Sequence, residues 1–222
     1  MILVIQRLAT TPARAAVAVI VVAAIAGAVL LFGQRGDDGD AAPGDETPAA
    51  EAYIGPVYHV CDSDTAAANG VASPGDPPVV GQPAPDFALC DRTGAFAMML
   101  SDMKGKVVWL NFWATWCVPC KRELPDIQAL YDEFSADGLE VLVINYRESE
   151  STALGLLPQL DVSLPSVIDR SGSVYDQYRL TGLPDSFFVA RDGTIATVYY
   201  GYVNDEIARG RLRIAGIGAD AE

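Results

Sequence analysis

The chain has 222 residues, a formal net charge of −14 and a hydrophobic fraction of 50%. A surface this acidic does not attract nucleic acid or an anionic membrane surface, and the length is enough for one domain core with appended segments. The only histidine is His59, which excludes a Ser-His-Asp triad and a site built from several histidines. Four cysteines allow one catalytic and one structural pair in an oxidising compartment.

Residues 15–32 form an apolar stretch without a charged side chain. As a helix this stretch is about 27 Å long, which matches the hydrocarbon thickness of a bilayer. Arg7 and Arg14 precede it, whereas the residues that follow it are acidic, and this bias favours a cytoplasmic N-terminus over residues 1–14. We therefore predict a single-pass anchor in membrane lipid, with the remaining chain outside the cytoplasm. A cleaved signal peptide is the alternative.

Two segments separate the predicted anchor from the main domain. Residues 33–55 are rich in Gly, Asp, Ala and Pro, a composition that predicts a flexible linker. Residues 56–80 are predicted to be an N-terminal extension. A short strand or docking segment is expected over residues 53–60, before Cys61, and a loop over residues 62–78.

The remaining residues, 81–222, show a pattern of strands and helices. An N-terminal hairpin is expected over residues 81–100, with its turn at 91–94, and a buried strand over 107–112. The apolar spacing after residue 120 predicts an amphipathic helix that packs on a sheet. The later strands are expected at 139–145, 167–169, 186–190 and 194–200, and the later helices at about 149–157, 175–178 and 205–214. This order predicts an α/β fold with a parallel sheet that ends in an antiparallel hairpin.

The most informative motif is Trp116-Cys117-Val118-Pro119-Cys120, which lies where the strand at 107–112 leads into a helix. Unpaired backbone N–H groups and the helix dipole favour a thiolate at such a junction. Cys117 is therefore the candidate nucleophile, and Cys120, one helical turn later, is the candidate resolving thiol. Half of a zinc site is disfavoured, because the other two cysteines do not form a second close pair.

The run from Asn111 to Cys120, with Lys-Arg-Glu-Leu-Pro after it, resembles the membrane-anchored thioredoxin-like proteins of the TlpA, ResA and CcmG group. The resemblance extends from about Gly81 to the C-terminus. It implies a thioredoxin-like fold, with a mixed sheet flanked by helices, and thiol-disulfide exchange outside the cytoplasm, often in cytochrome c maturation.

The resemblance also implies roles for residues near the two cysteines. Pro184 matches the cis-proline that faces the active-site disulfide, which leaves the Leu183 backbone free to pair with a substrate strand. Trp116 is expected to shield the sulfur. Glu123 matches a glutamate that assists proton transfer at the resolving thiol, although a glutamate in the first helical turn also stabilises the helix dipole without a catalytic role. Asp185 stands where related proteins often have threonine, and an acid beside the groove would disfavour acidic partners.

Cys61 and Cys90 are the other two cysteines. We predict that they form a structural disulfide, with two free thiols or a second redox pair as alternatives. His59 beside Cys61 could suggest a copper ligand pair, but a lone His-x-Cys without a second cluster does not make a metal site. No metal and no bound cofactor are expected.

The resulting hypothesis is a membrane-tethered thiol-disulfide oxidoreductase that acts on extracytoplasmic protein cysteines, with apocytochrome c as the implied substrate and a membrane electron donor. Its direction is not visible in the sequence, because C-x-x-C proteins span a wide range of potentials. Two alternatives are a peroxiredoxin-like peroxidase, suggested by the sequence Ala-Pro-Asp-Phe at 84–87, and a copper carrier that uses Cys117 and Cys120.

Overall fold

The computed structural model describes residues 53–70 and 77–218. The predicted cytoplasmic segment, the predicted anchor and the predicted linker up to residue 52 lie outside these residues. Within the described ranges no helix has the length and apolar character needed to cross a membrane.

The described residues form one mixed sheet of eight strands. In chain order the strands are β1 (Val57–Val60), β2 (Ala88–Cys90), β3 (Phe96–Met99), β4 (Val107–Trp113), β5 (Leu139–Tyr146), β6 (Ser166–Asp169), β7 (Asp185–Val189) and β8 (Ile195–Tyr200). Their order in the sheet is β3-β2-β1-β6-β5-β4-β7-β8. β1, β6, β5 and β4 run parallel, and the hairpins at both edges are antiparallel. The predicted α/β class is confirmed.

Five α-helices pack on or beside this sheet within the described part of the chain. They are α1 (Ser63–Ala68), α2 (Val118–Phe134), α3 (Glu150–Leu156), α4 (Ser173–Gln177) and α5 (Asp205–Ala215). Short 3-10 helices lie at Leu100–Met103, Ser135–Asp137 and Leu157–Leu160. The predicted hairpins and the predicted helix that begins near Ser149 are confirmed to within a few residues.

The strand that precedes the two cysteines is the centre of the core. All seven residues of β4 are buried, and alternate residues enter opposite faces of the sheet. Trp109 and Trp113 pack on the side of α2 and α5, whereas Leu110 and Phe112 pack on the side of α4 and the N-terminal hairpin. Full burial of each such apolar side chain contributes about 1.5–3 kcal/mol, so β4 gives the segment that follows it a rigid support.

The loop prediction for residues 62–78 is wrong at its start, where α1 forms. The Asp62 carboxylate accepts a hydrogen bond of 2.7 Å from the Thr65 backbone N–H, which satisfies one of the unpaired donors at the start of a helix. The helix buries none of its residues. Its sequence therefore carries no apolar period that could have indicated it.

The predicted strand or docking segment over residues 53–60 is confirmed, whereas the predicted linker bound at residue 55 is too late. Tyr53 has only 7% of its surface exposed, and its hydroxyl donates to the Leu164 carbonyl. β1 lies between β2 and β6 in the sheet, so the predicted extension supplies an interior strand. The buried ring of Tyr53 fixes this start of the segment, although the next residue, Ile54, is exposed.

Cys61 and Cys90 form a disulfide with a Cα–Cα distance of 5.2 Å. The bond joins the residue that follows β1 to the end of β2 across 29 positions of sequence. We expect the double variant Cys61→Ala with Cys90→Ala to lose about 3–4 kcal/mol of unfolding free energy, because closing such a loop restricts the unfolded chain. Urea unfolding of both proteins measures this difference.

The same double variant tests the alternative of a second redox pair. A structural disulfide predicts that the variant, once folded, exchanges disulfides at the rate of the parent protein. A proportional loss of exchange activity would show that these cysteines carry electrons.

Candidate active site

The second disulfide lies at the junction of β4 and α2. Cys117 and Cys120 are bonded, with a Cα–Cα distance of 5.3 Å. Cys117 is the N-cap residue of α2, and its Sγ accepts a hydrogen bond of 3.3 Å from the Cys120 backbone N–H. Pro119 occupies the first turn, where a missing N–H costs no hydrogen bond. This geometry is the one at which a helix N-terminus stabilises the thiolate of Cys117 after reduction.

The two sulfurs differ in access. Cys120 has no exposed surface and Cys117 has 4%, whereas the neighbouring Trp116 and Val118 are 64% and 63% exposed. An incoming partner therefore meets an apolar rim formed by Trp116 and Val118 and reaches Cys117 first. Trp113 is fully buried, as expected for a core residue.

Pro184 lies at the same end of the strands as the dithiol. The Leu183–Pro184 peptide bond is cis, and β7 begins at the next residue, Asp185, which pairs with Phe112 of β4. Since β4 ends one residue after Phe112, Pro184 is brought to the strand end from which Cys117 follows. The backbone N–H and C=O of Leu183 pair with no backbone group among residues 53–70 and 77–218, so both remain available to an added strand.

Glu123 is fully buried beneath the dithiol. Its Oε1 accepts a hydrogen bond of 2.7 Å from Asn111 Nδ2, and its Oε2 accepts one of 2.8 Å from the Val203 backbone N–H. Burial raises the pKa of Glu123 to about 7, against the opposing effect of these two hydrogen bonds. The carboxyl therefore gains or loses its proton near neutral pH.

The position of Glu123 excludes one of its two predicted roles. It is the sixth residue of α2, and the first turn of this helix holds no acidic residue. The interpretation of Glu123 as a first-turn residue that stabilises the helix dipole is therefore wrong, because that effect fades beyond the first turn.

Asn111 can match both protonation states of Glu123. The Nδ2 of Asn111 also lies 3.3 Å from Ser186 Oγ, while its Oδ1 is buried without a hydrogen-bond partner in the described structure. Rotation of the amide would present Oδ1 as an acceptor to the O–H of a protonated Glu123. Glu123 can thus hold or release one proton and keep its hydrogen bond to Asn111 in both states.

Glu148 is a site residue that the sequence did not reveal. Its carboxylate accepts hydrogen bonds from the Thr115 backbone N–H at 2.8 Å, from the Thr115 hydroxyl and from Asn145 Nδ2 at 2.8 Å. It therefore connects the end of β5 to the turn that carries Trp116. The sequence feature that could have indicated Glu148 is its place just after β5, a buried strand that pairs with β4.

We expect Glu148→Gln to slow disulfide exchange about fivefold. An amide carries no charge, so its hydrogen bonds to Thr115 are weaker than those of the carboxylate by about 1 kcal/mol. The rate of reduction of a fluorescent disulfide reporter measures the effect. Glu140→Gln, near the start of β5 and paired with Lys106, is the matched control, and an equal loss in both variants would contradict the role of Glu148.

His59 and Cys61, which we considered as a copper ligand pair, each have another partner in the structure. The sulfur of Cys61 is bonded to Cys90, and His59 Nε2 is 2.7 Å from Glu150 Oε2. Glu150 also pairs with Arg92 at 3.0 Å. His59 therefore joins β1 to α3 rather than extending toward a thiolate ligand.

A C-x-x-C pair at a strand-to-helix junction, beside a cis-proline on the neighbouring strand, defines the thioredoxin-like thiol-disulfide oxidoreductases. Comparison with known proteins agrees with this class. Residues 80–198 match the AhpC/TSA family. The thiol-disulfide oxidoreductase ResA of Geobacillus kaustophilus is 37% identical over 127 residues, which are 57% of this chain and 72% of that protein. ResA of Bacillus subtilis is 36% identical over 127 residues, 57% of this chain and 70% of that protein.

Solved structures show the same fold. A thiol:disulfide interchange protein, DsbE, of Chlorobium tepidum superposes with a TM-score of 0.57 at 31% identity and covers 62% of this chain and 98% of its own. StoA of Bacillus subtilis superposes with a TM-score of 0.50 at 26% identity, covering 59% and 97%. The chain belongs to the AhpC/TSA family and, within it, to the TlpA-, ResA- and CcmG-like thiol-disulfide oxidoreductases.

Proposed function

We propose that this oxidoreductase is a membrane-tethered reductase of disulfides in extracytoplasmic proteins, in which Cys117 is the nucleophile and Cys120 the resolving thiol. The observation that carries the proposal is the unequal placement of the two sulfurs. Cys117 caps the helix next to an exposed apolar rim, and Cys120 is wholly buried behind it. An attacking thiol at the protein surface and a second thiol buried behind it are what a two-step exchange requires.

In the first step the Cys117 thiolate attacks one sulfur of a partner disulfide. The partner's second sulfur leaves as a thiolate and takes a proton from water. In the second step Cys120 loses its proton and attacks the Cys117 sulfur, which closes the Cys117–Cys120 disulfide and releases the partner's other sulfur. Two electrons pass to the partner, which ends as a dithiol.

Glu123 is the proposed acceptor for the proton of Cys120. The two residues are three positions apart on α2, which places them on the same side of the helix, and both are fully buried. A carboxyl with a pKa of about 7 is suited to take a proton from a thiol and pass it on near neutral pH.

The substrate groove is proposed to consist of Trp116, Leu183 and Pro184. Trp116 offers an exposed aromatic surface, and the backbone groups of Leu183, at the same end of the strands, pair with no other backbone group of the described residues. A partner segment in extended conformation could therefore pair with Leu183 while its cysteine faces Cys117.

The tether and the substrate extend the proposal to the cell. The apolar residues 15–32 support an anchor that leaves the domain outside the cytoplasm, and the resemblance to the ResA group supports apocytochrome c as substrate. A membrane protein would then return electrons to the oxidised pair. Removal of residues 1–32 is expected to move the protein from the membrane fraction to the soluble fraction, and unchanged membrane association would contradict the tether.

The substrate is tested with the reduced full-length protein in detergent micelles and an oxidised peptide that carries the haem-attachment pattern C-x-x-C-H. We expect stoichiometric transfer of two electrons, measured as peptide thiols. A peptide that remains oxidised while a generic reporter is reduced would retain the enzyme class and reject this substrate.

A further inference from the structure

A second buried acid, Asp185, lies directly after Pro184 and is 5% exposed. Its Oδ1 accepts a hydrogen bond of 3.2 Å from the Gly201 backbone N–H, and the same N–H donates to the Pro184 carbonyl at 2.8 Å. This is the only protein hydrogen bond of the Asp185 side chain within the described residues. Burial with so little compensation raises the pKa of Asp185 to about 6. Burial of an ionisable group with one hydrogen bond lowers the unfolding free energy. Groups of this kind are typical of functional sites.

Asp185 and Glu123 are held by the same short piece of chain, residues 201–203. Gly201 donates its N–H to Asp185, and Val203, two residues later, donates its N–H to Glu123 at 2.8 Å. Gly201 has a φ of 97°, a conformation that glycine adopts without strain. The position of the Val203 N–H therefore depends on the hydrogen bonds that Gly201 makes to Asp185 and to the Pro184 carbonyl.

The two carboxyls also act on each other through their charges. The negative charge of Asp185 raises the pKa of Glu123, as does that of Asp126 on the same helix, although both effects are smaller than that of burial. Tyr175 on α4 is the other titratable group that feels Asp185. Arg122 on α2 also faces residues 201–203, because its guanidinium lies 5.3 Å from the centre of the Tyr202 ring.

We propose that Asp185 is a positioning residue for Glu123, because through residues 201–203 it fixes the backbone donor of Glu123. The inference rests on the proposed role of Glu123 as proton acceptor for Cys120. The charge of Asp185 adds to this effect, because it keeps Glu123 protonated to higher pH and thereby sets the pH range in which Cys120 is activated.

The test compares two substitutions that separate charge from hydrogen bonding. Asp185→Asn removes the charge but keeps an oxygen that can accept from Gly201, and Asp185→Ala removes both. Asp192→Asn is the control: it lies at the opposite end of the same hairpin and removes a surface charge whose hydrogen bonds within the described residues go only to Thr194. The oxidised full-length proteins are labelled with 13C in the glutamate carboxyls and titrated by NMR in micelles, since disulfide-bonded cysteines do not titrate.

We expect Asp185→Asn to lower the pKa of Glu123 by about 0.5 unit, a fraction of the 1 to 3 units that directly paired charges produce, without changing hydrogen exchange at the Val203 amide. Asp185→Ala is expected to speed that exchange about tenfold relative to Asp185→Asn. The pH midpoint of disulfide exchange should move with the pKa of Glu123, and Asp192→Asn should change none of these quantities.

The proposal is overturned if Glu123 titrates in Asp185→Asn as it does in the parent protein, or if Val203 exchanges equally in the Asn and Ala variants. If Asp185→Ala does not fold, the titration of Asp185→Asn decides alone. The exchange rate of Glu123→Gln tests the proposed function separately, because an unchanged rate would remove Glu123 as proton acceptor whatever the titrations show.

Discussion

Replacing Cys120 with serine will leave the full-length protein covalently joined to its partners through Cys117. The first attack forms a mixed disulfide, and without the Cys120 sulfur the bond between Cys117 and the partner cannot be resolved within the protein. Turnover is expected to fall by more than about 1,000-fold, as for the loss of other catalytic nucleophiles. Non-reducing gels of membranes, followed by mass spectrometry of the trapped species, measure this result and identify the substrate.

Two further variants make the trapping experiment specific. Cys117→Ser should form no mixed disulfide, because Cys120 is wholly buried, and the double variant at Cys61 and Cys90 should exchange normally. Equal trapping by Cys117→Ser would reverse the assigned order of the two thiols. Consumption of hydrogen peroxide by Cys120→Ser at the parent rate would instead favour the peroxidase that residues 84–87 suggested.

Replacing Glu123 with glutamine will stabilise the protein above neutral pH and slow its exchange reaction. The pKa of Glu123 is about 7 in the folded protein, above the ordinary 4.5, so the folded state holds this proton more tightly than the unfolded chain does. The protonated Glu123 therefore contributes to the unfolding free energy. This contribution is fully present below about pH 4.5 and is lost as the pH rises through 7. A shift of this size corresponds to about 3 kcal/mol.

Glutamine cannot ionise, and it can pair with the rotated amide of Asn111 and with the Val203 N–H. We therefore expect Glu123→Gln to match the parent protein near pH 4.5 and to exceed it by up to about 3 kcal/mol at pH 8. The pKa of Asp185 is also raised, to about 6. Both proteins therefore show a further, smaller decrease in unfolding free energy between about pH 4 and 6. Urea unfolding at a series of pH values measures the two curves, and parallel curves would show that Glu123 does not titrate near 7.

The same variant should lose about 100-fold in the rate at which Cys120 resolves a mixed disulfide, because a general base contributes about 100- to 10,000-fold. Stopped-flow measurement of that step from pH 5 to 9 should show a profile without the inflection near 7. Asp132→Asn, an exposed change on the same helix, is the control and should leave both the rate and its pH dependence unchanged.

Local sequence patterns predicted the elements that present the cysteines. The run at 107–112 became β4, the helical spacing after residue 120 became α2, and Cys117 lies at the junction between them. These features depend on neighbours within one or two turns of chain, where apolar period and capping chemistry act directly. The helix α1 was not predicted, because the sequence has a capping residue at its start but no periodic apolar residues along it.

The surroundings of the dithiol were decided by the tertiary structure. Glu123 and Val203 are 80 positions apart, and Glu148 and Thr115 are 33 apart. Their hydrogen bonds depend on strand register and on the path of a loop, which no periodicity records.

The amino-acid sequence by itself determined the α/β class, the strand-to-helix junction and the pair of cysteines, because each arises from contacts between near neighbours in the chain. Only the tertiary structure decided that Tyr53 belongs to the core, that β1 enters the middle of the sheet, and that Glu123 and Asp185 share one backbone segment. The physical reason is that burial and long-range hydrogen bonds set the environment of an ionisable group, and both exist only after distant parts of the chain have packed together.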